Sequence, residues 1–242
     1  MNTFGTVHLD SSTIAANVAA NAGGISNAFA FPAPKIFIRN TIVANNAGAP
    51  SPDVSGALDS TGYNLIRNTA GSVIDDTTGT SNYGIDPMLD TVLTNNGGLT
   101  PTVALLRGSP AIDKGLPGPQ IASDQRGKAR PFDFPGVGNS AGGDGSDIGA
   151  FELHEYATQI KGRLIAPPGE LLRNAIVTLR NTRTGEVRCR YVNSLGNYDF
   201  RQVLTGDRYE IEVKSKSFAF PVLSVWVHGE SDGLDLSGTR IP

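Results

Sequence analysis

Two kinds of hydrophobic pattern divide the chain. In the first part, short apolar runs such as VHL at Val7–Leu9 and IFI at Ile36–Ile38 are separated by polar, glycine-bearing stretches. From Thr158 onward, apolar and charged residues alternate with a period of two, as in AIVTL at 175–179 and YEIEV at 209–213. Short apolar runs between turn residues and strict alternation both indicate β-strands. The pattern therefore predicts an all-β chain with two differently built parts.

The first part contains an internal repeat. SSTIAAN at 11–17 matches RNTIVAN at 39–45, and each copy follows one of the two apolar runs. A unit this short cannot bury its own apolar face, so it needs neighbouring units stacked against it. Asparagine tolerates the left-handed backbone of a corner and can form hydrogen bonds along a stack. The repeat predicts stacked coils with asparagine at their corners.

Stacked parallel coils of this kind favour a right-handed parallel β-helix for the first part. In that arrangement Ile14 would lie over Ile42, and Asn17 over Asn45. The alternative is a β-sandwich in which the similarity of the two segments is coincidental.

The charge balance places a boundary between the two parts. Residues 1–153 hold 8 Lys and Arg against 13 Asp and Glu, whereas residues 154–242 hold 12 against 10. We therefore predict domains at 1–153 and 154–242. The whole chain has a net charge of −3 and no basic stripe, which excludes nucleic acid as a partner.

A series of specific phrases follows the repeat: DVSGALDSTGYNLI at 53–66, GIDPMLDTVLTNNGGLTPTVALLRGSPAID at 84–113, SDQRGKARP at 123–131 and SDIGAFE at 146–152. This series resembles the C-terminal end of bacterial surface β-helix proteins of the choice-of-anchor Q type. The resemblance implies a secreted or surface-displayed repeat protein, of which this chain holds the last coils. Because a final coil exposes unpaired strand edges, we expect the segment from Asp86 to Glu152 to lie across that end as an irregular cap.

Within the expected cap, four charged residues are candidates for two ion pairs. These are Asp124 with Arg126, and Asp147 with Arg130.

The second part shows alternation typical of a small antiparallel β-sandwich. Ala175, Val177 and Leu179 share one face of a predicted strand, and we place Val187, Cys189 and Tyr191 together on the inward face of another. The run from Gly162 to Phe220 resembles carboxypeptidase regulatory-like domains, which have a prealbumin-like β-sandwich fold. This resemblance implies an appended extracellular module that supports, spaces or contacts a ligand and has no protease chemistry of its own.

Candidate chemistry is sparse. His8, His154 and His228 have no triad partner at a recognisable spacing, and a buried Cys189 would be inert. GGDGSDIGA at 142–150 matches one calcium-binding repeat, but that site needs successive repeats.

For a carbohydrate-active site, the candidate residue pairs are Asp10 with Arg39, where Asp10 aligns with Ile38, and Asp75 with Asp76. Neither pair has the aromatic platform expected for a sugar. We therefore predict no catalytic, cofactor-binding or metal-binding residue and no cofactor.

The sequence favours a non-catalytic structural or adhesive part of an exported bacterial surface protein that binds an extracellular glycan or protein. The alternative is the C-terminal fragment of a β-helix polysaccharide lyase or glycoside hydrolase whose active groove lies upstream. No apolar run is long enough to span a bilayer. An export signal is expected upstream of Met1, because MNTFGTVHLDSST lacks the features of a signal peptide.

Overall fold

The computed structural model describes residues 5–27, 34–170, 172, 174–229, 231 and 233–241. These residues form β-strands and turns and contain no helix, so the all-β prediction is confirmed. None of their segments is a helix that could cross a membrane. The chain divides into two compact units, Met1–Leu153 and His154–Pro242.

Parallel pairing builds the first unit. Its strands are β1 (Thr6–Asp10), β2 (Thr13–Ala15), β3 (Ile25–Asn27), β4 (Lys35–Arg39), β5 (Ile42–Ala44), β6 (Val54–Ser60), β7 (Leu65–Ile66), β8 (Ser72–Asp76) and β9 (Asn82–Tyr83). One sheet has the order β1-β4-β6-β3 with β8 also on β6, and the other has the order β2-β5-β7-β9. Every strand pair in both sheets is parallel. Apart from β3 and β4, which both belong to the first sheet, consecutive strands alternate between the two sheets.

Successive rungs become shorter along the chain. The paired positions of the first sheet are 6 and 35 for the first rung, 37 and 59 for the second, and 56 and 72 for the third. Each rung therefore contains fewer residues than the one before it, and the stack tapers towards β8 and β9. At this narrow end, the hydroxyl group of Tyr83 in β9 donates to Asp76 Oδ2 in β8 at 2.6 Å.

The register of the repeat differs by one residue from the prediction. Ile14 pairs with Val43, whereas Thr13 pairs with Ile42. A shift of one residue exchanges the two faces of a strand, so Ile14 packs with the cluster that contains Val43, and Ile42 joins a different cluster. The prediction that Ile14 lies over Ile42 is wrong because identical residue types do not mark equivalent faces. The parallel stacking of the two segments is nevertheless present.

Polar side chains connect the rungs at their corners. Asn17 N–H donates to Asn46 Oδ1 at 3.0 Å, and Asn46 N–H donates to Asp53 Oδ1 at 3.0 Å. At the other corner, Thr41 N–H donates to Asn64 Oδ1 at 3.0 Å. Asn17 therefore contacts Asn46 and not the predicted Asn45, which turns the corner with a φ of 59°.

The segment from Asp86 to Leu153 packs along the outer face of the β2-β5-β7-β9 sheet. Ile42 and Leu65 of this sheet share a core with Ile112, Ile148 and Phe151 of the segment, all at most 2% exposed. This position differs from the expected cap across the end of the coils. The physical reason is that the outer face of this sheet is itself apolar and needs a covering layer.

Two sheets build the second unit. Its strands are β10 (Ala157–Ile165), β11 (Ile176–Asn181), β12 (Val187–Tyr191), β13 (Asn197–Leu204), β14 (Arg208–Lys214), β15 (Phe218–Ala219), β16 (Leu223–Trp226), β17 (Leu236–Ser237) and β18 (Thr239–Arg240). The sheets β13-β10-β17 and β12-β11-β14-β16 share one core, and β15 pairs separately with β18. The pairs are antiparallel, apart from the parallel pair of β10 with β17.

Strand β12 faces the opposite way from the prediction. Cys189 is exposed, and Tyr191 is 73% exposed. Leu179, which is buried, pairs with Arg188, so the arginines of β12 lie on the core side of this edge strand. Arg190 sits over the ring of Phe200 at 5.9 Å. Inward-pointing charges on an edge strand discourage pairing with another chain, and their long stems cover the core boundary.

Candidate functional site

Asp10 and Arg39 are brought side by side, because they pair directly in β1 and β4. The predicted alignment of Asp10 with Ile38 is therefore wrong by one residue. Asp10 Oδ1 accepts hydrogen bonds from the Ser11 hydroxyl at 2.8 Å and from Gly118 N–H at 3.4 Å. Arg39 Nε donates to the carbonyl of Leu116 at 2.9 Å. Both residues therefore hold the loop at 116–118 against the first sheet.

Asp75 and Asp76 lie in the terminal strand β8. Asp76 Oδ1 accepts hydrogen bonds from the backbone and the hydroxyl group of Thr78. With the Tyr83 contact described above, both of its oxygens accept hydrogen bonds from the residues that follow β8. Asp75 pairs with Asp59 of β6. Charged side chains on a terminal strand discourage the addition of further strands.

Three buried carboxylates, those of Asp113, Asp147 and Glu152, fasten the irregular segment to itself. Asp147 accepts Asp113 N–H at 2.8 Å and Leu153 N–H at 2.6 Å, and it is fully buried. Glu152 accepts Phe132 N–H at 2.8 Å. A loop without regular strand pairing leaves backbone donors unpaired, and these oxygens satisfy them.

Burial raises the pKa of all three carboxyl groups. Burial and then the charge of Glu152 raise the pKa of Asp147 well above its usual range. Burial raises the pKa of Glu152 to about 7, with Arg130 acting in the opposite direction. Burial also raises the pKa of Asp113 to about 6.

Of the two predicted ion pairs, one forms. Arg126 and Asp124 are joined at 2.7 Å with side chains at most 1% exposed. Arg130 pairs instead with Glu152 at 3.3 Å, and its Nη2 donates to the carbonyl of Gly149 at 2.6 Å. The predicted Asp147–Arg130 pair is wrong, because backbone N–H groups occupy the oxygens of Asp147.

The remaining sequence candidates are scattered over the two units. His8 stacks on Phe37 with ring centroids 5.0 Å apart, and His228 stacks on Trp226 at 6.4 Å. The carbonyl of His154 accepts the hydroxyl of Thr205 at 2.6 Å. Within the described ranges, no group of three or more His, Cys, Asp or Glu side chains is placed to hold a metal ion.

A groove of about 980 Å³ on the first unit is a candidate ligand surface, and we call it the flank groove. It runs along the corners that follow β2, β5 and β7, opposite the chain from Asp86 to Leu106. Its aliphatic wall includes Met88, Val92 and Leu93, which are 42%, 53% and 64% exposed. Exposed apolar side chains grouped in a concave surface are typical of binding sites.

The opposite wall of the flank groove is polar. Arg67 Nη1 donates to Asn45 Oδ1, and Arg67 pairs with Asp86 at 3.3 Å. Asn17 extends this polar wall to the first rung. The groove therefore offers donors and acceptors on one side and aliphatic surface on the other.

Sequence patterns did not single out the flank groove. Met88, Val92 and Leu93 lie in DPMLDTVL, whose apolar residues are equally compatible with a buried core. The sequence feature that could have indicated the groove is the pair of opposite charges Arg67 and Asp86. The number of residues in a rung must be known before these two residues can be placed next to each other.

Comparison with known proteins adds no assignment: no family model matches the chain, and no curated protein matches it either.

Proposed function

We propose that the chain is a non-catalytic structural or adhesive part of a secreted or cell-surface bacterial repeat protein. In this proposal the first unit is the terminal part of a right-handed parallel β-helix of the choice-of-anchor Q type. The second unit is a carboxypeptidase regulatory-like module with a prealbumin-like sandwich. The observation that carries the proposal is the stack of parallel rungs joined by side-chain hydrogen bonds at their corners.

The wide end of the stack supports a continuation by further rungs. In the second rung Ile38 and Val43 are fully buried. The equivalent residues of the first rung, Leu9 and Ile14, are only half-buried against the same cluster. An additional rung on the β1 and β2 side would bury these two side chains, as neighbouring units do in repeat proteins.

The flank groove supports the adhesive part of the proposal. A stack of rungs and a layer fixed by buried carboxylates give a rigid frame, and rigid frames lower the entropic cost of binding. The groove has an aliphatic wall and a polar wall, which suits an extended ligand that carries both apolar and hydrogen-bonding groups. We propose that an extracellular protein or glycan binds along it.

Array screening tests this function. The whole chain is applied to glycan and peptide arrays, and we expect selective binding that Leu93→Ser weakens by about tenfold, since burying a leucine contributes about 1.5–3 kcal/mol. Leu99→Ser is the matched control, because Leu99 is fully exposed and lies outside the groove. If selective binding is unaffected by Leu93→Ser, the ligand binds outside the flank groove. Turnover of an arrayed polysaccharide would contradict the non-catalytic proposal and favour the lyase or hydrolase alternative.

A further inference from the structure

A second concave site lies on the first unit, apart from the flank groove and sharing no residue with it. It is a pocket of about 480 Å³ beside the loop at 116–122. We call it the loop pocket. Its aliphatic lining includes Leu116, Pro117, Pro119 and Ile121, and its charged lining is Arg39, Arg130 and Asp144.

Arg39 is held in place with part of its guanidinium unused. Its Nε donates to the carbonyl of Leu116 at 2.9 Å, which fixes the plane of the group. Its terminal nitrogens have no hydrogen-bond partner among the described residues. A guanidinium with a fixed plane and free terminal N–H groups matches the two oxygens of a carboxylate.

Asp144 is held in a similar way. Its Oδ1 accepts Ser146 N–H at 2.9 Å, while Oδ2 has no hydrogen-bond partner among the residues that the structure describes. No ion pair joins Asp144 to Arg39, although both line the same pocket. The pocket therefore presents a cation and an anion that do not neutralise each other directly.

Two further charges lie near Arg39 and Asp144. Arg130 also lines the pocket, but its side chain is 1% exposed and is paired with Glu152, and its Nη1 has no hydrogen-bond partner among the described residues. Asp10 does not line the pocket and accepts hydrogen bonds from Ser11 and from Gly118 of the loop. The charges that are not buried in the lining are thus those of Arg39 and Asp144, beside an aliphatic surface.

We infer that the loop pocket binds an apolar α-amino acid. The carboxylate of the ligand pairs with the Arg39 guanidinium, the ammonium group pairs with Asp144, and the aliphatic side chain lies against Leu116 and the two prolines. This inference goes beyond the proposed function, because it concerns a small-molecule site that an adhesive surface does not require.

Calorimetric titration of the whole chain with matched ligands tests the inference. Leucine should bind at least about tenfold more tightly than 4-methylpentanoate, which lacks the ammonium group, and than 3-methylbutylamine, which lacks the carboxylate. One charge-assisted hydrogen bond contributes about 1.5–3 kcal/mol, which corresponds to tenfold or more in affinity. Glycine should bind more weakly than leucine because it has no aliphatic side chain.

Two variants assign the contacts. Asp144→Asn keeps an acceptor for Ser146 N–H. It should weaken the binding of leucine about tenfold and leave the affinity for 4-methylpentanoate unchanged. Arg39→Gln should weaken the binding of both ligands. Asp75→Asn, on strand β8 and outside the lining of the loop pocket, serves as the control and should bind leucine like the parent chain.

No heat with millimolar leucine, or equal affinity for leucine and both analogues, would overturn the inference. The ligand series uses the parent chain, so it decides the matter even if a variant fails to fold. Loss of leucine binding would leave the array result at the flank groove unaffected, and the two proposals can fail separately.

Discussion

Single buried carboxylates determine how the irregular segment is held. Asp124 accepts hydrogen bonds from Arg126 and from the backbone of Lys128 and Glu152. Removing one partner of a buried pair leaves the other charge without compensation, which is more destabilising than the pair is stabilising. The internal arrangement of the segment therefore depends on a few buried side chains. The sequence identifies the Asp124–Arg126 pair among them but not the hydrogen bond from Glu152 N–H to Asp124.

Replacement of Asp124 tests this dependence. Asp124→Asn should lower the free energy of unfolding of the first unit by about 3–5 kcal/mol, because it leaves the buried Arg126 unpaired. The measurement is urea unfolding. Asp86→Asn is the matched control: it breaks an exposed pair with Arg67 and should cost under about 1 kcal/mol. Similar losses in the two variants would contradict the structural role of the buried pair.

Glu152 makes the stability of the first unit depend on pH. Its pKa rises on folding to about 7, so the folded chain retains a proton that the unfolded chain releases above its ordinary pKa. The stabilisation from this group is complete below about pH 4.3 and is lost as pH rises through 7. Burial of Asp113 and Asp147 acts in the same direction.

We therefore expect the unfolding free energy of the first unit to decrease from pH 5 to pH 8, measured by urea titration at each pH. Glu152→Gln should flatten this decrease, since the amide does not titrate. A stability that rises over this interval would contradict the buried position of these carboxyl groups.

Among the structural elements, the contact between the segment and the β2-β5-β7-β9 sheet depends on Gly149. Its φ is 101°, and a Cβ there would lie 2.7 Å from Thr13 Oγ1 and 2.8 Å from Ile42 Cδ1. Gly149 N–H also donates to the carbonyl of Asn40 at 2.8 Å. The absence of a side chain is what allows the two layers to approach this closely.

Gly149→Ala should destabilise the first unit by about 2–5 kcal/mol, from backbone strain plus overpacking. Gly136→Ala provides the control, because Gly136 has a φ of 83° with nothing within 4 Å of an added Cβ. The control should show the strain alone, about 1–2 kcal/mol. Thermal unfolding of both variants measures the difference, and equal effects would mean that the close approach is unimportant.

Element type was more predictable from sequence than element direction. Alternation correctly placed Val177 and Leu179 on the buried face of β11. The same rule failed for β12, because an edge strand can turn its arginines towards the core boundary and its Cys189 to solvent. The repeat likewise predicted parallel stacking but missed the register by one residue, since the similarity of Ile14 and Ile42 reflects composition and not a shared face.

The candidate sites were less predictable. The sequence names Arg39 as a candidate because of its pairing with Asp10. It does not predict the hydrogen bond from Arg39 to Leu116, because these residues are 77 positions apart. Asp144 belongs to the GGDGSDIGA motif, which points to calcium and gives no sign that Asp144 shares a pocket with Arg39. Contacts at this separation depend on rung length and on the path of the segment, and neither is encoded in a local pattern.

At the scale of the whole molecule, each unit has its own apolar core. The second unit encloses Ile160, Val177, Phe200 and Ile211, all fully buried. A unit with a core of its own is expected to fold alone. Residues 154–242 expressed as a fragment should therefore unfold cooperatively in urea.

Phe200→Ala in that fragment should cost about 3–5 kcal/mol. Leu195→Ala, at a 65% exposed position, is the control and should be nearly neutral. A fragment without a cooperative transition would contradict the assignment of an independent core.

The rungs shorten from β1 to β8, so the two ends of the stack differ in whether they can accept a duplicated rung. A copy of the first rung placed before β1 meets a rung of its own length and can continue both sheets. The same insert placed after β8 meets a much shorter rung, in which Tyr83 already donates a hydrogen bond to Asp76. We therefore expect tandem duplication to lengthen the stack on the β1 side.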